Sequence, residues 1–167
     1  MNKNLNFTIE ELSDLSGKKA KIYTVRINGS NTTIFEDFLA ENIEKYPNEL
    51  QNIIDRLQVL GKKGAFDYFF KLNEGKAGDG LVAFYETPSK KFRLYCIKYS
   101  ESYIILGSGG LKTTRTWNED PILSKANLNL QQISKQITRR MKEGDLKWSA
   151  EEQSLIGNLT FSEDDEY

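Results

Sequence analysis

Residues 81–111 read LVAFYETPSKKFRLYCIKYSESYIILGSGGL. Three short runs rich in β-branched and aromatic residues lie here, separated by turn residues. Residues 81–87 form the first run, and Pro88-Ser89-Lys90-Lys91 makes a turn. The second run is 92–99, Ser100-Glu101 makes a tight turn, and 103–107 is the third. Runs of this length with short connections predict an antiparallel meander. Period-two alternation puts Lys91, Arg93, Tyr95 and Ile97 on one face of the second strand. Phe92, Leu94, Cys96 and Lys98 fall on the other.

Upstream, residues 21–27 (KIYTVRI) alternate in the same way and predict a first strand. Asn28-Gly29-Ser30-Asn31 reads as a turn. Phe35, Phe38, Leu39 and Ile43 recur at helical spacing behind a Thr32 or Thr33 cap. Pro47 opens a second helix with Leu50, Ile53, Ile54, Leu57 and Leu60 along one stripe, closed by Gly61 and Gly64. Pro47 between the two patterns predicts a helical pair rather than one rod. Residues 8–17 carry a capping-box pattern, Thr8-Ile9-Glu10-Glu11, with Gly17 as a stop, and predict an N-terminal helix. Residues 73–80 contain three glycines and read as a loop. A last helix is expected over 127–142, with Leu130, Ile133, Ile137 and Met141 on one face. The acidic end, 162–167, reads as a disordered tail. The expected order is α-β-α-α-β-β-β-α, in one α+β domain over 1–161.

Composition narrows the chemistry. The 167 residues include one cysteine and no histidine. That excludes an internal disulfide, multi-cysteine zinc sites, and Ser-His-Asp or Cys-His catalysis. Cys96 sits in an apolar strand and reads as a buried, inert thiol. No span is apolar for the roughly 20 residues a membrane helix requires, and the start lacks a signal-peptide core. A cytoplasmic location without membrane contact is expected.

The net charge of -1 hides an asymmetry. Residues 81–147 carry twelve Lys and Arg against six Asp and Glu, and residues 148–167 carry six acids and no base. A cationic middle next to an anionic end points to a polyanion-binding face that the end can shield. The cluster comprises Lys90, Lys91, Arg93, Lys98, Tyr99, Lys112, Arg115 and Trp117. A guanidinium held among apolar residues, as Arg93 would be, suits phosphate through its planar bidentate geometry. Trp117 is placed to stack on a base. Gly107-Ser108-Gly109-Gly110 lacks phosphate-loop spacing and reads as a flexible strand exit.

The element order and these stretches resemble the RelE/ParE superfamily of toxins, within it the HigB-like, phage-derived branch. Residues 34–64 look like that family's helical pair, residues 80–111 like its sheet, and ISKQITRRMKEG (133–144) like its basic terminal helix. The likeness spans about 20–143. It implies a small twisted, mainly antiparallel sheet packed on a helical pair, here with an extra N-terminal helix and a C-terminal extension. It also implies the toxin of a type II toxin-antitoxin system, a ribosome-dependent mRNA endonuclease with no metal or cofactor. The implied partners are a helix-turn-helix antitoxin and the ribosome with its mRNA.

Carried over by position, Arg93, Lys112, Arg115 and Lys91 are the catalytic candidates. Arg93 and Arg115 would hold the phosphate, while Lys91 or Lys112 would act as base or charge stabiliser. Lys90, Lys98, Tyr99 and Trp117 are the substrate-binding candidates. Two departures oppose the nuclease. The histidines of HigB-like members are replaced here by Leu106-Gly107-Ser108-Gly109-Gly110, and Glu86-Thr87 stands where an arginine is often found. The competing expectation is a protein-binding or phage-derived domain that keeps the fold without the chemistry.

Overall fold

The structure is a computed structural model that describes residues 4–72 and 80–165. The glycine-rich stretch expected to form a loop lies, except for Gly80, outside the described residues. The strands are β1 (Phe7–Glu11), β2 (Lys21–Ile27), β3 (Phe70–Lys71), β4 (Leu81–Phe84), β5 (Phe92–Lys98), β6 (Tyr103–Leu111), β7 (Leu146–Ser149), β8 (Ser154–Gly157) and β9 (Thr160–Phe161). The helices are α1 (Ile34–Asn42), α2 (Pro47–Lys63) and α3 (Pro121–Glu143).

Seven strands form one sheet in the order β3-β4-β5-β6-β2-β1-β9, and β7-β8 is a separate hairpin. Every pairing is antiparallel except β2 with β6. The parallel pair follows from the chain path, because the helical pair carries the chain from β2 back over one face before the meander begins. The mixed α+β class and the meander are as expected, but the sheet is large rather than small.

Both faces of the sheet are covered. Phe35, Phe38, Leu50, Ile53, Leu57 and Leu60 of α1 and α2 pack against Ile22, Phe84, Phe92, Leu94, Cys96, Ile104 and Leu106. Leu123, Leu130, Ile133 and Ile137 of α3 pack against Ile9, Tyr23, Val25, Tyr95, Ile97 and Ile105 on the opposite face. The sequence patterning of both helical stripes and of β5 leads to this layering. Leu50, Ile53, Leu57, Leu60, Leu94, Cys96 and Ile105, the expected core residues, are all fully buried.

Several sequence expectations are corrected. Residues 7–11 form a strand, not a helix: Phe7 and Ile9 alternate into the α3-side core while Glu10 pairs with Arg26 across the β1–β2 ladder. Gly17 does not stop a helix. It lies against the backbone of Gly61, which stands inside α2 rather than ending it, and a Cβ at either position would collide with the other segment. Lys19 and Ala20 both donate backbone N–H groups to the Gly61 carbonyl there. The first meander strand stops at Phe84, and α3 starts six residues earlier than expected, at Pro121 behind the Asp120 cap.

Gly107 to Gly110 belong to β6, not to a flexible exit. The ladder shifts between Leu94↔Gly109 and Cys96↔Leu106, so β6 carries one extra residue in a bulge opposite Tyr95. The small residues there admit α3. A Cβ on Gly107 would stand 2.8 Å from a Leu130 methyl, and one on Gly110 would stand 3.3 Å from Ile122 Cγ2. The acidic end is also tied down as far as Asp165. Its carboxylate accepts from Arg140 at 2.8 Å and from the Ser162 N–H at 2.8 Å. Residues 166–167 lie outside the described residues.

Candidate functional site

Glu86 organises the turn that carries Lys90 and Lys91. The residue is 1% exposed, and its carboxylate accepts from the Ser89 hydroxyl at 2.7 Å and from the N–H groups of Lys91 and Phe92. Glu86 thereby folds the turn between β4 and β5. Lys90 takes the left-handed region at φ 56° and brings its Nζ to 5.3 Å from the Tyr85 ring centre. The Lys91 carbonyl accepts from the Lys112 N–H at 2.7 Å, which continues the β5–β6 ladder one rung past Phe92↔Leu111. Lys91 and Lys112 are therefore cross-strand neighbours, an unfavourable placement for like charges unless an anion lies between them.

Arg93 is two rungs inward from Lys91, opposite Gly110, and is 7% exposed. Its Nη1 donates to the carbonyls of Lys90 at 2.7 Å and Phe92 at 3.1 Å. Arg93 is held within the sheet, with Nη1 engaged by the backbone of its own hairpin. The face it occupies is the face that α3 covers.

The other candidates do not join this group. Lys98 lies at the far end of β5, about 20 Å from Phe92 at ~3.3 Å per residue, and pairs with Asp67 at 2.9 Å. The Tyr99 hydroxyl sits against Thr138 Oγ1 at 2.9 Å and Ser134 Oγ at 3.3 Å, anchoring α3 to the sheet. Arg115 is exposed in the link before α3. Trp117, in a 3-10 turn (Trp117–Glu119), packs its half-buried ring on the α3-side core. Of the eight candidates the fold brings together Lys90, Lys91, Arg93 and Lys112. It disperses Lys98 and Tyr99 and puts Trp117 to structural use.

Beside this group an open groove of about 580 Å³ runs between the end of α1 and the start of α3. Glu41, Tyr46, Gly109, Gly110, Asp120 and Ile122 are among its lining residues. The Asp120 carboxylate is engaged as the α3 cap, accepting from the N–H groups of Ile122 and Leu123 and from the Thr113 hydroxyl. Cys96 is fully buried, and burial drives its thiol pKa upward, so it is no nucleophile. Among the described residues no cluster of three acidic, Cys or His side chains is arranged to hold a metal, and no helix is long and apolar enough to cross a membrane.

No family model, no curated protein and no solved structure matches this chain.

Proposed function

We propose that this chain is a RelE/HigB-like domain that binds a partner and does not cut RNA. The observation that carries the reading is the burial of Arg93, 7% exposed on the sheet face that α3 packs against, with Nη1 donating to the carbonyls of Lys90 and Phe92. A scissile phosphate has to reach the group that stabilises its charge, and here the third helix stands on the sheet face that the resemblance makes catalytic. The strand, helical pair, meander and terminal helix, in that order, support kinship with the toxin fold. The absence of any histidine leaves proton transfer to Lys or Tyr. The partners this kinship suggests are an antitoxin and the ribosome with its mRNA, in the cytoplasm.

The test is induced expression in a bacterial host without any companion gene, for wild type and for Arg93→Ala. The expected outcome is normal growth in both cultures. Growth arrest by wild type that Arg93→Ala relieves would replace this reading with that of an active endonuclease toxin.

A further inference from the structure

Arg56 of α2, Lys71 of β3 and Lys90 of the β4–β5 turn approach one aromatic ring from three separate segments. Arg56 Cζ lies 4.9 Å from the centre of the Tyr85 ring, Lys90 Nζ 5.3 Å and Lys71 Nζ 5.8 Å. Arg56 also covers Phe84 at 4.9 Å and Phe69 at 5.7 Å, and donates to the Tyr85 carbonyl. Burial among these rings pushes its pKa down from the ordinary arginine value, yet a guanidinium keeps its charge. Glu86, whose charge acts on Arg56, has its carboxylate committed to Ser89, Lys91 and Phe92. Among the described residues none of the three cations forms an ion pair.

Three cations gathered on one tyrosine repel one another, and the electron-rich ring offsets only part of that repulsion. An anion seated among them would remove it. Next to this corner stands Tyr68, 62% exposed. Its ring is stacked on Phe66 at 5.7 Å and lies 4.6 Å from Phe69, and its carbonyl accepts from the Tyr85 hydroxyl at 3.1 Å. The exposed ring is thus tied to the same corner through Phe69, which Arg56 covers, and through the Tyr85 hydroxyl.

We propose that this corner binds single-stranded RNA, with a backbone phosphate among Arg56, Lys71 and Lys90 and a base stacked on Tyr68. A cationic seat beside an exposed aromatic is the combination that tracks an unpaired strand, since every base offers a π face. A duplex keeps its bases stacked on each other and leaves Tyr68 unused. An acidic peptide would satisfy the cations but not the ring. The inference rests on the binding reading above only for the fate of bound RNA, which that reading leaves intact.

The experiment is fluorescence anisotropy of a short labelled single-stranded RNA with the full chain, at low and at higher salt. Lys71→Glu, Tyr68→Ala and the charge-matched control Lys125→Glu on α3 are compared, each checked by thermal melting. Wild type should bind, and binding should weaken as salt rises. Lys71→Glu and Tyr68→Ala should each weaken binding about tenfold, while Lys125→Glu stays within about twofold. If Tyr68→Ala lowers the melting temperature, Lys71→Glu alone decides.

Absence of binding overturns the proposal, as does equal binding by wild type and Lys71→Glu. Displacement of the RNA by polyglutamate, with no loss in Tyr68→Ala, would reassign the corner to an acidic protein. Cleavage of the bound RNA, read on a gel of the same samples, would overturn the non-cutting reading and leave this site standing.

Discussion

At Gly109 the two central meander strands approach so closely that a Cβ would overlap the Arg93 carbonyl oxygen. Backbone cannot retreat there without opening the β5–β6 ladder. At Gly110 the nearest atom is a methyl of Ile122, a side chain 66% exposed that can rotate away. Gly109→Ala is therefore expected to abolish soluble folded protein or lower stability by more than about 3 kcal/mol, whereas Gly110→Ala costs below about 1 kcal/mol. Chemical denaturation of both variants checks the contrast, and equal costs would show that the bulge relaxes. Cys96 gives a second outcome at this scale: the thiol should resist alkylation in the native protein and react at once in denaturant. A thiol assay with and without guanidinium measures it. Alternation in 92–98 places Arg93 and Cys96 on opposite faces correctly. It cannot say what lies above each face, and that information decides whether Arg93 meets solvent or α3.

Elements with a long apolar stripe were legible, and elements decided by pairing were not. The α2 stripe is one case: Leu57 is fully buried between α2 and the sheet, and Leu57→Ala should cost about 2–5 kcal/mol in denaturant melts. A loss of a few tenths would mean that α2 does not pack as described. Residues 7–11 are the opposite case. Thr8 and Glu11 at capping-box spacing suit a helix start locally, but Phe7 stacks on Phe161 at 4.5 Å and β1 closes on β2 and β9. Contacts with residues about 150 positions away override a local signal.

The acidic end is likewise placed by distant contacts, as far as Asp165. Arg140, 6% exposed, lies 3.7 Å above the Phe161 ring and donates to the carbonyls of Asn158 and Thr160 as well as to Asp165. One buried cation thereby ties Asp165 to the C-terminal strand. Arg140→Leu should release β9 and cost about 2–4 kcal/mol. Amide hydrogen exchange should show faster exchange at 158–162, and unchanged protection there would place the anchor elsewhere.

For the whole molecule, the layering matters more than the charge balance. Two helices cover one face of the sheet and α3 the other, so the exposed Lys90 and Lys91 stand at the open end of the β5–β6 hairpin, while other exposed cations such as Lys62, Lys125 and Lys135 lie on the outer faces of the helices. The basic character of residues 81–147 was readable from composition. Its division among α3 anchoring, the hairpin end and an ion pair at Lys98 required the fold. One arginine on an otherwise polar helix face, as Arg56 is, carries no signal of its own in the sequence. Its meaning comes from Phe69, Phe84 and Tyr85, which only tertiary structure brings beneath it.

The central claim is that a sheet face closed by α3 leaves no working nuclease centre. Primer extension on a reporter mRNA in a purified translation system, with the protein added to actively translating ribosomes, tests it most directly. The account predicts the same full-length products with and without the protein. New 5′ ends that depend on translation, and that vanish with Arg93→Ala of unchanged thermal stability, would contradict it.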